Sequence, residues 1–186
     1  MEKKSVSTNI FLVGLMGAGK TSVGKLLSKK LKLPFFDSDH VIEDRTGVKI
    51  MVIFDIEGEA GFRSREHAVL HELTKKKGIV LATGGGAILN IENRRVLQSR
   101  GTVIYLHASV GELVRRTKYD SKRPLLQTDD VEKRLTELYF MRDPLYREVA
   151  DLVFETKNQS IGDLVQHIYG SIIRVVETKK RKKFLD

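Results

Sequence analysis

The sequence predicts an α/β fold, a parallel sheet with helices packed on both faces. Three observations predict it. Short apolar, β-branched runs alternate with segments whose apolar residues recur at helical spacing. A glycine-rich stretch joins the first such run to the first such helix. Acidic and glycine clusters follow two later runs, at the strand ends where a parallel sheet presents its ligands.

The elements follow in order. Ile10 to Val13 reads as a buried strand ending in glycine. Lys20 to Leu31 carries Val23, Leu26, Leu27 and Leu31 at the spacing of an amphipathic helix. Leu33 to Phe36 is a second short strand running into Asp37. Glu66 to Lys77 reads as a helix with a basic last turn, which suits the negative end of its dipole. Ile79 to Ala82 and Thr102 to Leu106 are strands, with a helix from Arg94 to Ser99 between them. Helices are expected over Glu112 to Arg116 and Val131 to Met141, a strand over Leu152 to Phe154, and a closing helix over Ile161 to Val176. Strand–helix alternation implies parallel strands joined by right-handed crossovers. Ser38 to Gly61 and Tyr119 to Asp130 fit it poorly, and long excursions from a compact sheet are often lids or substrate-binding pieces.

A chain of 186 residues suits one domain and can bury a core without staples. Hydrophobic residues at 41% and charged residues at 31% describe a globular chain. The absence of cysteine excludes disulfides, a thiol nucleophile and cysteine-ligated metals, and it fits a reducing, cytoplasmic compartment. No apolar run reaches the ~18 residues of a membrane span, and Met1 to Asn9 lacks a signal-peptide pattern. The net charge of +9 invites a nucleic-acid reading, but Lys179, Lys180, Arg181, Lys182 and Lys183 account for five of the nine, leaving +4. The expectation is a domain over 1–177 that handles small polyanions, followed by a disordered basic tail over 178–186.

Gly14-Leu15-Met16-Gly17-Ala18-Gly19-Lys20-Thr21 matches the phosphate-loop pattern G-x-x-x-x-G-K-[ST], between a strand and a helix as that pattern requires. Glycines let backbone amides turn toward phosphate oxygens, and the helix N-terminus adds positive partial charge. Lys20 can reach the β and γ phosphates, and the Thr21 hydroxyl can ligate Mg²⁺. In extended backbone Asp37 and Asp39 would point to the same side, as magnesium ligand or base if not as turn residues. Gly84, Gly85 and Gly86 suggest close approach of a ligand to the main chain. The third strand ends in Ala82-Thr83 and not in an acid, and no Asn-Lys-x-Asp signature occurs, which disfavours a GTPase or motor ATPase. A small-molecule kinase fits better. Arg63, Arg123 and Arg142 are candidates to grip a carboxylate or close over the phosphates, with their division of labour open.

In sequence order the chain carries the phosphate loop, Phe36-Asp37-Ser38-Asp39, Gly61-Phe62-Arg63-Ser64-Arg65-Glu66, the triple glycine, Arg123-Pro124-Leu125-Leu126 and Arg142-Asp143-Pro144-Leu145-Tyr146. With these motifs it resembles the bacterial shikimate kinases, of the nucleoside-monophosphate-kinase-like P-loop fold, over about residues 8–175. The resemblance implies a three-layer fold with a five-stranded parallel sheet of order 2-3-1-4-5. It implies a shikimate-binding region over about 38–67 and a lid over about 117–130. It implies phosphorylation of the shikimate 3-hydroxyl by ATP, on the route to chorismate and aromatic amino acids. By position it makes Asp39 the holder and base of the hydroxyl, and Asp37 and Thr21 the Mg²⁺ residues. Gly17, Ala18, Gly19, Lys20, Thr21 and Ser22 would cradle the phosphates. Arg63 and Arg142 would clamp the shikimate carboxylate, and Gly84, Gly85 and Gly86 would meet its ring hydroxyls. Arg123 would reach from the lid, while Arg116, with Lys157 in the loop Thr156-Lys157-Asn158, would frame adenine. The family further implies a monomer with no nucleic-acid partner. A related kinase of gluconate or a nucleotide, and an ATP-responsive nucleic-acid-binding protein using the tail, are the alternatives.

Overall fold

The computed structural model describes residues 8–118, 124–128, 130–157 and 159–182. Five strands form one parallel sheet: β1 (Asn9–Val13), β2 (Phe35–Asp37), β3 (Val80–Ala82), β4 (Gly101–His107) and β5 (Leu152–Glu155), in the order β2-β3-β1-β4-β5. This is the expected architecture. Strand ends differ from the expected ones by a residue or two, the usual uncertainty of fraying ends.

β1 lies at the centre with all five residues buried, and Val103, Ile104, Tyr105 and Leu106 of β4 are buried beside it. Helices α1 (Lys20–Leu31) and α7 (Ile161–Lys182) pack together through residues that include Val23, Leu27, Ile168 and Ile172. Each such large apolar side chain removed from water stabilises the fold by about 1.5–3 kcal/mol. Parallel strands place every strand's carboxyl end on one edge, so the loops after β1, β2 and β3 meet there.

Three stretches differ from expectation. The first excursion is helical: α2 (Ser38–Thr46) is followed by α3 (Ile50–Leu73). Arg63 therefore lies mid-helix and not at a helix start, and Lys75 to Lys77 lie past its end. Gly58, at φ +70°, breaks the helical path inside α3, and that glycine, with Gly61, masks the helix in the sequence. Ile53 and Phe62 are buried and hold the two halves to the core. Second, α6 (Val131–Val149) continues past Met141 and through Pro144. The proline removes the bond to the carbonyl of Phe140, on a turn where Phe140 is 71% exposed, so water can take that carbonyl. Third, the α7 backbone stays helical to Lys182, into the expected tail, a run of residue types with good helix propensity. Residues 183–186 of that tail lie outside the described residues. Between these elements lie α4 (Ile91–Arg100), capped by Asn90, and α5 (Val110–Thr117), capped by Ser109. No helix among the described residues is long and apolar enough to cross a membrane.

Candidate active site

The loop after β1 turns through Gly17 at φ +80° and Gly19 at φ +93°, conformations that cost a side chain dearly. Gly19 precedes α1, whose first turn has neither a capping side chain nor an acid. The uncapped amides and the positive end of the helix are therefore available to an anion. Lys20 Nζ donates to the carbonyls of Gly14 at 2.7 Å and Leu15 at 2.9 Å, which holds the ammonium across its own loop. Gly17, Gly19, Lys20, Thr21 and Ser22 line a cavity of about 330 Å³, with Asp37, Asp39, His40, Thr83, Gly85 and Arg116 on its other walls.

Asp37 and Asp39 do face one cavity, but not by the extended backbone expected of them. β2 ends at Asp37, which caps α2, and its Oδ1 accepts from the Asp39 amide at 3.1 Å. Asp39 thus enters from the first turn of a helix. Asp37 Oδ2 accepts from the Thr21 hydroxyl at 2.7 Å, so both expected magnesium residues meet. The described residues hold no group of three or more acidic or histidine side chains that could cage a metal. One hydroxyl and one carboxylate beside a phosphate cradle instead fit Mg²⁺, which keeps several waters and shares phosphate oxygens.

A second cavity, of about 120 Å³, adjoins the first. Its polar wall is Asp39, Glu43, Arg63, Glu66 and Gly84 to Gly86; its apolar wall is Met16, Ile50, Phe54, Phe62 and Leu125. Arg63 reaches Glu66 at 2.7 Å and Glu59 at 2.9 Å. Glu66 is only 1% exposed, and that burial raises its carboxyl pKa despite Arg63. Arg142 is 2% exposed, and burial lowers its guanidinium pKa. Its Nε and Nη1 have no hydrogen-bond partner among the described residues. Buried guanidinium N–H groups without acceptors are costly, and an anionic ligand would satisfy them.

The three glycines here do not adopt left-handed backbone, since none has positive φ. Two of them are required for clearance. A Cβ on Gly84 would collide with Glu66 and lie 2.7 Å from Asp39 Oδ1, and one on Gly86 would collide with the Arg63 guanidinium. A Cβ on Gly85 would meet nothing nearer than 3.5 Å, but its carbonyl accepts from the buried Tyr146 hydroxyl.

A third cavity lies behind the phosphate loop, walled by Gly17, Ala18, Gly19, Val23, Arg116, Thr156, Gln159, Ile161 and Leu164. Arg116 donates to Thr156 Oγ1 and to the Thr156 carbonyl, both at 2.9 Å, tying α5 to the loop after β5. Lys157 is exposed and does not line this cavity; its neighbours Thr156 and Gln159 do. Arg123 and Asn158 lie outside the described residues. Glu66, Phe54 and Gln159 were missed by sequence reasoning. Glu66 carried a signal, since it closes the Gly61–Glu66 motif, but an acid beside two arginines reads equally as a surface pair.

Comparison with known proteins agrees with this geometry. A family profile described as shikimate kinase matches residues 16–173. A shikimate kinase of Cupriavidus pinatubonensis is 58% identical over 160 residues, 86% of this chain and 83% of its own length. One from Thiobacillus denitrificans is 57% identical over 164 residues, 88% of this chain and 90% of its own. The structure of Acinetobacter baumannii shikimate kinase in complex with shikimate superposes with a TM-score of 0.89 at 50% identity, covering 91% of this chain and 95% of that one. The matched span holds every residue named above as lining a cavity, and the chain belongs to the shikimate kinase family.

Proposed function

We propose that this chain transfers the γ-phosphoryl group of ATP to the 3-hydroxyl of shikimate, giving shikimate 3-phosphate and ADP for aromatic biosynthesis. One observation carries the reading: Asp39, Gly85 and Met16 line both the phosphate cavity and the arginine cavity. The two cavities adjoin at these three residues, of which Asp39 is the one able to take a proton.

The residues divide as follows. The loop amides, Lys20 and Ser22 bind the phosphates, and Gly17, Ala18, Arg116 and Thr156 enclose the base. Thr21 and Asp37 would hold Mg²⁺, which when bound supplies charge to the phosphate oxygens. Arg63 and Arg142 grip the substrate carboxylate, and the partnerless Nε and Nη1 of Arg142 support that role. Asp39 orients the 3-hydroxyl and takes its proton as the oxygen attacks phosphorus. Phe54, Phe62 and Leu125 make a dry wall, which suits a reaction that must exclude water as the competing acceptor. The resemblance assigns Arg123 to the lid over the phosphates. Most of the chemistry is positioning and charge, as phosphoryl transfer requires. The family resemblance extends this reading to a monomeric, cytoplasmic enzyme without a nucleic-acid partner.

The test is ADP release from Mg-ATP with and without shikimate, followed by locating the phosphate on the product. Release that depends on shikimate, with phosphate on the 3-oxygen, is expected. Equal release without it, or preference for gluconate or a nucleotide, would overturn the assignment.

A further inference from the structure

Tyr146 is fully buried on α6, one turn beyond Arg142. Its ring stacks on Tyr105 of β4 with centroids 4.9 Å apart. Tyr105 is itself anchored, since its hydroxyl donates to Asp143 Oδ1 at 2.8 Å. Full burial and the ring stack, which a Tyr105→Phe change would keep, set the position of the Tyr146 hydroxyl. It donates to the Gly85 carbonyl, and Arg142 stands one turn earlier on α6, near enough for its charge to act on the phenol. A phenol has one donor and can also accept, so one oxygen can serve both groups.

The Gly85 contact leads into the site. Gly85 lines both reacting cavities. Arg142 keeps Nε and Nη1 without partners among the described residues. We propose that Tyr146 is a positioning residue for the carboxylate substrate: its hydroxyl fixes the glycine loop and aims the remaining Arg142 N–H groups at the carboxylate. It touches no substrate itself. This assignment rests on the shikimate reading above. A buried tyrosine merely satisfied by a nearby carbonyl would serve stability alone, and the two roles differ in what they do to each substrate.

The experiment compares the full-length enzyme with Tyr146→Phe, which keeps the ring and its stack and removes one oxygen. Losing a hydrogen bond to a charged group should raise the KM for shikimate about tenfold or more while the KM for ATP stays within about twofold. Discrimination between shikimate and its methyl ester should fall by a similar factor, because the hydroxyl acts through Arg142 on the carboxylate. Tyr105→Phe, which loses only the Asp143 bond, should leave the shikimate KM within about twofold. An unchanged shikimate KM in Tyr146→Phe, an equal rise in both KM values, undiminished discrimination, or the same effect from Tyr105→Phe overturns the proposal. If Tyr146→Phe does not fold, p-aminophenylalanine at 146 keeps the donor to Gly85 but is a poor acceptor for Arg142, so the shikimate KM should rise about tenfold; a shikimate KM near wild type there also overturns the proposal. Wild-type enzyme without shikimate-dependent ADP release would overturn the functional reading itself.

Discussion

Replacing Gly86 by alanine should damage shikimate binding while leaving the fold intact. Gly86 sits at φ −96° and ψ −2°, which alanine can adopt, so the backbone gives no reason for loss. The added methyl group, however, would stand well inside contact distance of the Arg63 guanidinium. To restore van der Waals separation the guanidinium must retreat by about 1 Å. It is held between Glu66 at 2.7 Å and Glu59 at 2.9 Å, so the retreat is away from its present setting in the cavity wall. A shift of that size takes a charge-assisted hydrogen bond out of range. The loss is about 1.5–3 kcal/mol, which is roughly 10- to 150-fold in the KM for shikimate. The obstructing atoms are the end of a flexible side chain, and removing a glycine restricts the unfolded chain, so stability should change by only about 1 kcal/mol. Initial rates with shikimate varied at saturating ATP, and the converse, give the two KM values; thermal melting gives the stability. The same substitution in an Arg63→Ala background should add little, because its effect runs through Arg63. A shikimate KM within twofold of wild type in Gly86→Ala, with Arg63→Ala strongly impaired, would refute the steric argument.

Other outcomes follow from the same geometry. Lys20→Met should lower kcat by at least about 100-fold with an unchanged circular dichroism spectrum, since it removes the ammonium of the cavity proposed to hold the phosphates. Asp39→Asn keeps the hydrogen-bonding shape without the base; a kcat loss of about 100-fold is expected, and a loss of only a few-fold would leave Asp39 as an orienting group. Burial raises the folded-state pKa of Glu66 above its ordinary 4.5, so its stabilising contribution is full below about that pH and is lost as pH rises through the folded value. Chemical denaturation of wild type and Glu66→Gln across that window should show the wild type falling relative to the variant; parallel curves would contradict it.

The phosphate loop was legible because its parts are neighbours in the chain. A strand, three glycines, a lysine, a threonine and a helix start are ordered within Asn9–Thr21, and local backbone geometry does the rest. The sheet order was legible through the resemblance alone, while the alternation of apolar runs independently gives parallel strands without their order. Asp37 and Asp39 share the right edge for a partly different reason: Asp37 is extended as expected at the end of β2, but Ser38 and Asp39 already belong to α2. α2 and most of α3 were invisible as helices, since glycines inside α3 outweigh local propensity until Ile53 and Phe62 are packed.

Sequence by itself thus determined the phosphate chemistry, the parallel class and the edge on which the site lies, all properties of local order and strand direction. Only tertiary structure decided why Gly84 and Gly86 must lack side chains, how Thr21 meets Asp37 across 16 residues, and that Tyr146 reaches Gly85 across 61. The physical reason is common to all three. Steric clearance, burial and the pairing of buried charge depend on which distant segments touch, and no periodicity or spacing along the chain records that.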